Sequence, residues 1–505
     1  MSADSAAPTP TGAAAPSGTE PDSSPDVTVR RLTGNLGVGA IVFMVVAAAA
    51  PLTVIGGGFP LAALLGNGAG APTMFAISGA ILLLFAVGLS AMSRYVPRPG
   101  AFFTYVGYGL GRPAGVAAAW LAILTYTAVQ VAVYGFLGMT LGDWVAHVTG
   151  LTLPWWAWSL ALVAIVGFLG YHHVDLSAKV LGVLLIAEVA IVVILAVVIL
   201  AQGGNDGIRF DSFSPDVVTS GAPALALMFC MAGFIGFEST AIFRDEAREP
   251  ERTIPRATYA AVISIAVFYT FSSWALVQGW GSEFDAQIAS DYEGFIVTTA
   301  QNYMGAVGAE VVNILLITSL FACVLSFHNV LTRYQHSMSN AGLLPKAVGK
   351  VHDKHHSPHL SSLIQTATAL VLVIGFTVAG LDPYLQVFTW FSGVATFAIV
   401  VLMALTCLAV IVYFARNRVA VGAWRSWIAP GIGLLGLLAV TVILFDNFPL
   451  LLGDVDVDGN PQFGALTIGF LIMIAAFPVV GGAQALTMRS TRPERYAKVI
   501  DTISG

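Results

Sequence analysis

Twelve apolar runs, most of about twenty residues and separated by short polar connections, dominate this chain of 505 residues. They lie near 36–65, 72–96, 113–142, 154–170, 176–201, 219–243, 257–280, 304–331, 361–380, 384–414, 427–446 and 463–486. About twenty residues of helix cross a hydrocarbon layer about 30 Å thick. Lipid gives backbone N–H and C=O groups no partners, so such runs must close their hydrogen bonds internally, as helices. The expected fold class is an all-α membrane protein with 12 transmembrane helices. Composition agrees: 57% of residues are hydrophobic and 10% charged, where a soluble domain carries about 25% charged residues.

The basic residues give the orientation. With the N-terminus inside, every Lys and Arg of the 22 except Arg209 falls on the inner side, from Arg30 and Arg31 through Lys179, Arg256 and Lys346 to Lys498. The outer loops carry acids instead, among them Glu283, Asp285, Asp291, Glu293, Asp382 and Asp454. This asymmetry predicts a multi-pass protein of the plasma membrane with both termini cytoplasmic. Residues 1–33 read as a disordered cytoplasmic tail, because 1–26 are rich in Ala, Pro, Ser and Thr and lack apolar bulk. The tail has no basic start and does not read as a signal peptide. Residues 34–486 form the twelve-span domain and 487–505 a cytoplasmic C-terminal tail. Cys230, Cys323 and Cys407 all sit in apolar stretches and read as reduced core residues. No basic cluster with interleaved aromatics is present, so no nucleic-acid partner is expected.

Two of the runs are interrupted. The sixth contains Met231-Ala232-Gly233-Phe234-Ile235-Gly236-Phe237, followed at once by Glu238. The first contains Ala47-Ala48-Ala49-Ala50-Pro51 and then Gly56-Gly57-Gly58. Pro51 removes a backbone donor and crowds the preceding turn. A carboxylate and a loosened backbone inside lipid persist only where they line an enclosed or wet cavity. Paired interruptions five spans apart point to an inverted-repeat transporter that holds its substrate near the midplane. The competing reading is that these glycines serve only close helix packing.

The segment from Phe234 to Ala257 resembles the amino acid–polyamine–organocation family of permeases. The matching residues are Gly236, Phe237 and Glu238, the acidic pair Asp245 and Glu246, Pro250, and Ile254-Pro255-Arg256-Ala257. Arg333, Met338, Gly342 and Pro345 after the eighth span resemble a second family loop, and Pro97, Gly100 and Tyr105 a third. The resemblance covers about residues 34–486. It implies a LeuT-like 5+5 inverted repeat plus two C-terminal helices, and transport of amino acids or amines. The chain departs from the family in two places. Phe43 to Ala50 contains no Gly-x-Gly, and Ala232 stands where similar exchangers place a gating Trp.

Candidate substrate contacts are Ala47, Ala48, Ala49 and Ala50 in the first break, Phe234, Ile235 and Gly236 in the sixth, Tyr126 and Gln130 on one face of the third span with Tyr134, and Phe388 in the tenth. Glu238 is the first candidate for proton coupling. Burial favours a protonated carboxyl, whereas a nearby ammonium or open water favours the ionised form. Its competing role is to bond backbone and fix the break. Glu188, in the middle of the fifth span, is the second candidate, against a purely interhelical hydrogen bond. In the eighth span Asn313, Thr318, Ser319 and Ser326 offer polar contacts, although hydroxyls commonly bond their own preceding turn. Trp390 reads as packing. The histidines of 352–359 read as a solvated loop rather than a metal site, and no metal or cofactor is expected.

The expected activity is therefore secondary active transport of amino acids, with protons, substrate and the bilayer as partners. An amine permease or an amino acid exchanger is the alternative, and a non-transporting sensor is a third. No Walker loop, metalloprotease helix or nucleophile elbow is present, so ATP-driven pumping and proteolysis lack support.

Overall fold

The computed structural model describes residues 36–96, 102–172, 178–238, 240, 247–351, 358–417 and 419–503. The tail 1–33, Pro97, Gly100, the acidic pair Asp245 and Glu246, and the histidines of 352–357 lie outside the described residues. Of Ala47 and Ala48 only the backbone, inside a helix, is described.

The longer helices run in chain order as α1 (Val38–Ala48), α2 (Ala71–Met92), α3 (Arg112–Thr149), α4 (Trp155–Tyr171), α5 (Ala178–Ala201), α6 (Pro223–Ala232), α7 (Pro250–Trp280), α8 (Phe295–Asn340), α9 (His359–Val378), α10 (Thr389–Asn417), α11 (Ala429–Leu452), α12 (Ala465–Thr491) and α13 (Pro493–Ile503). Each of the twelve apolar runs overlaps one of α1 to α12, the first and sixth extending well past their helices. Among the described residues nine helical stretches are long and apolar enough to cross a membrane. One of them, Val38–Met92, holds both of the first two runs; α4 and α6 are shorter apolar helices. No strand occurs among the described residues, only two isolated bridges.

The packing pairs helices that lie five apart in the chain. α2 lies against α7, α3 against α8, and α4 against α9. α6 contacts α2 and the segments that follow the break in the first run. α3 is the central post: it also packs on α4, α10 and α12. Its apolar residues are buried nearly all round, which is what a helix surrounded by other helices requires. Small residues bring these helices together. A Cβ on Gly138 of α3 would come within 2.7 Å of the Trp155 carbonyl on α4 and would also collide with the Ser159 side chain.

The eighth run shows a feature absent from the sequence reading. Gly305 adopts φ 73° and ψ −174°, a conformation that only glycine enters without strain, and bends Phe295–Asn340 near its start. The segment 487–505, read as a tail, is largely helical. α12 continues to Thr491, and α13 then packs on α12, α3 and α8. Val499 and Ile500 of α13 are buried, and Arg112 of α3 lies over the Tyr496 ring. Its apolar residues recur at helical spacing, so one face covers the bundle while the other stays polar.

Replacing Gly138 by Leu forces a branched side chain between α3 and α4. Overpacking of this kind costs about 1–3 kcal/mol. The expected outcome is a lower melting temperature in detergent by fluorescence-detected size exclusion, whereas the same change at Gly375, with open space around it, leaves it unchanged.

Candidate functional site

Both predicted interruptions are real breaks. α1 stops at Ala48, Ala49 forms a turn, and Ala50 takes φ 46° and ψ 70° before the helix resumes at Pro51. A left-handed alanine costs about 1–3 kcal/mol and persists only where its surroundings hold it. Beyond it the chain continues through a wide π-type turn, Val54–Gly58. In the sixth run α6 stops at Ala232, residues 233–236 form turns, and Gly236 adopts φ 112°.

Each break releases backbone groups that lipid cannot satisfy, and side chains from other helices meet them. The Glu238 carboxylate accepts the N–H of Gly236 at 2.8 Å through Oε2, and the Tyr126 hydroxyl of α3 at 2.6 Å through Oε1. The Tyr269 hydroxyl of α7 donates to the Ala49 carbonyl at 3.3 Å. Glu188 of α5 accepts the Ser319 hydroxyl of α8 at 2.8 Å, and the N–H of Leu52, in the first turn after Pro51, faces the same carboxylate. Ser319 lies 3.1 Å from the Thr53 hydroxyl, so a short polar chain joins the restarted first helix to α8 and α5. The Tyr384 hydroxyl donates to the Gly57 carbonyl at 2.8 Å. Both glutamates are buried, at 3% and 4% relative exposure, so these partners carry their solvation.

The two breaks face a common pocket. Ala49, Ala50, Thr53 and Val54 line it from the first run, and Ala232, Gly233 and Ile235 from the sixth. The approach is close: a Cβ on Gly233 would come within 2.7 Å of the Val54 side chain. Val129 and Val133 of α3, Cys323 and Phe327 of α8, and Phe388 and Ser392 complete the wall with Phe229. Among the described residues no charged side chain lines it.

Of the expected contacts, Ala49, Ala50, Ile235 and Phe388 line this pocket. Tyr126, Gln130, Phe234, Gly236, Glu238 and Glu188 stand behind it. Tyr126 is committed to Glu238. Gln130 accepts the Gln365 amide at 2.7 Å and donates to the Val324 carbonyl at 3.4 Å, and Gln335 donates to Gln365 at 2.8 Å. This amide chain ties α3, α8 and α9 together. Phe234 packs edge-on against Tyr269. Sequence reasoning missed Val129 and Val133. They lie on the face beside Tyr126, Gln130 and Tyr134, and the polar face drew attention away from them. In α8, Thr318 bonds its own preceding turn, whereas Ser319 meets Glu188. Trp390 packs edge-on against Phe470.

Acidic groups gather beyond the aromatic end of the pocket. Phe388 contacts Tyr384 and Phe136, and Tyr292 stacks on Tyr384. Burial, and then the neighbouring carboxylates of Asp382 and Asp143, push the Glu293 carboxyl above the usual range. At the opposite approach the Arg248 N–H donates to the Leu36 carbonyl at 2.9 Å, tying the entry to α1 to the segment after Glu238.

Comparison with known proteins adds three kinds of likeness. The amino acid permease family model matches residues 41–481. The serine/threonine exchanger SteT of Bacillus subtilis is 23% identical over 446 residues, which is 85% of this chain and 93% of that protein. The L-asparagine permease of Escherichia coli is 25% identical over 460 residues, 85% of this chain and 87% of its own. The low-affinity putrescine importer PlaP of Escherichia coli is 22% identical over 313 residues, 60% of this chain and 66% of its own.

Tyr126→Phe removes one hydrogen bond to a buried carboxylate. A bond to a charged group contributes about 1.5–3 kcal/mol, so the variant melts several degrees lower in a thermal unfolding assay. An unchanged melting temperature would contradict the role of Tyr126 as a partner of Glu238.

Proposed function

We propose, because this chain belongs to the amino acid permease family and its two broken runs meet at one pocket, that it is a secondary active transporter moving amino acids across the plasma membrane. It is a carrier rather than an enzyme. The observation that carries the reading is the convergence of 49–54 and 232–235 on that pocket. Helix ends there face the substrate's carboxylate and ammonium with the backbone groups that Glu238, Glu188, Tyr269 and Tyr384 do not already hold, and the pocket wall brings no charged competitor.

The proposed architecture has twelve spans, a LeuT-like 5+5 inverted repeat with α11 and α12 appended, and both termini cytoplasmic. Support comes from the pairing of α2 with α7, α3 with α8 and α4 with α9, which is what two superposed five-helix halves produce. Alternating access then moves the broken runs against the α3–α8 framework. Glu238 is proposed as the proton-coupling group, with Glu188 as a second. Each bonds a backbone group at a break, so a change in helix position changes the partners of its carboxylate. Protonation removes the charge that those partners solvate, and the break is then free to rearrange. An amine permease is the second reading, favoured by the likeness to a putrescine importer.

A one-unit pH gradient supplies about 1.4 kcal/mol per proton, tenfold in accumulation. In proteoliposomes the wild-type protein is expected to accumulate labelled amino acid up to about tenfold more per inward pH unit. Glu238→Gln keeps one acceptor oxygen and loses the titrating group. Its uptake is expected to ignore the gradient while substrate counterflow continues. A variant that retains the full gradient response would remove Glu238 from coupling.

A further inference from the structure

We infer that the pocket selects amino acids with uncharged, apolar side chains and rejects cationic, acidic and polyamine substrates. This rests on the reading of the pocket as the substrate site and narrows it to a side-chain class. The first ground is composition of the wall. Beyond the two breaks, whose ends face the substrate's own ammonium and carboxylate, the remaining described surface is Val129, Val133, Phe229, Phe327, Phe388, the Cys323 thiol and Ser392. A valine pair at i, i+4 on α3 faces phenylalanines from three other segments, which is a surface for hydrocarbon.

The second ground is where the nearby charges are spent. Glu238 and Glu188 are the acids close to the breaks, and neither lines the pocket. Both oxygens of Glu238 already accept hydrogen bonds, from Tyr126 and from the Gly236 N–H. Glu188 is occupied by Ser319 and by the backbone of Leu52. A second ammonium on the substrate would have to pull one of these carboxylates off a helix break or remain unpaired in an apolar wall. A side-chain carboxylate would find no cation among the described lining residues. Either way a charge is buried without a partner, which is heavily disfavoured. The outer carboxylates Glu293, Asp382 and Asp143 do not alter this. Tyr292, Tyr384 and Phe388 stand between them and the pocket, so they can gather cations at the approach without meeting them inside.

The third ground is the polar remainder. Thr53 is engaged with Ser319, which leaves the Ser392 hydroxyl at the edge of the wall. A hydroxyl or amide side chain gains one partner at best, while an aliphatic or aromatic one gains the whole surface.

The test is ligand-induced thermal stabilisation of the purified full-length protein, which needs no transport, followed by competition for uptake in proteoliposomes. The panel contains L-leucine, L-isoleucine, L-methionine, L-phenylalanine, L-serine, L-asparagine, L-lysine, L-arginine, L-glutamate and putrescine. Binding raises the melting temperature in proportion to occupancy of the folded state. The expected result is stabilisation by at least one apolar amino acid, with half-effect concentrations at least about a hundredfold higher for lysine, arginine, glutamate and putrescine. Val133→Asp places a carboxylate in the wall and is expected to narrow the leucine-to-lysine ratio at least about tenfold. Val129→Asp serves the same purpose if that protein fails to fold. Lysine, arginine or putrescine within tenfold of the best apolar ligand overturns the inference, and so does a preference for serine or asparagine. Apolar ligands that stabilise the protein but are never transported leave the selectivity standing and sink the transporter reading. Stabilisation by no amino acid removes both.

Discussion

Every buried backbone group needs a partner, and in this bundle the need is sharpest where two helices stop midway. The chain meets it with side chains brought in from elsewhere: Glu238 for the Gly236 N–H, Glu188 beside the Leu52 N–H, Tyr269 for the Ala49 carbonyl and Tyr384 for the Gly57 carbonyl. Each hydrogen bond to a charged group contributes about 1.5–3 kcal/mol, and losing one costs at least as much when the orphan stays buried. The strained alanine at position 50 directly follows Ala49, whose carbonyl Tyr269 holds. Without these bonds the two runs have no reason to remain broken, and a pocket between continuous helices would have no backbone to offer a ligand.

This arrangement links stability to selectivity. A carboxylate that caps a helix break is not available to a substrate cation, so the groups that build the pocket also leave it uncharged. It links both to motion as well. Glu238 bridges the broken sixth run to α3, which packs on α4, α8, α10 and α12. Moving the break against that post means exchanging the partners of one buried carboxyl. In the proposed coupling one proton changes the balance, because a protonated carboxyl loses its strongest reason to hold an N–H and a hydroxyl together.

Much of this was legible in the sequence, for physical reasons that differ by element. The apolar runs were legible because lipid permits few solutions for a polypeptide, and both breaks were legible because Pro51, the glycines and Glu238 are costly in a spanning helix. The wall was not. Val129 and Val133 look like any valines in an apolar helix, and only the packing of α3 tells which of its faces meets the breaks. Gln130 was legible only in part: a buried amide signals a polar partner, and the structure pairs it with Gln365 and the Val324 carbonyl, which the sequence could not name. The bend at Gly305 and the docking of α13 were equally hidden, since each depends on what lies opposite.

The central claim is that the two breaks jointly hold the substrate, and cysteine protection at Ala232 tests it most directly. Ala232→Cys, combined with Cys323→Ser to remove the native pocket thiol, is labelled in proteoliposomes with a small thiol reagent after confirming that uptake is retained. Substrate is predicted to slow labelling in a saturable way, with half-protection at its half-saturating uptake concentration. Labelling that proceeds at the same rate under saturating substrate would contradict the account.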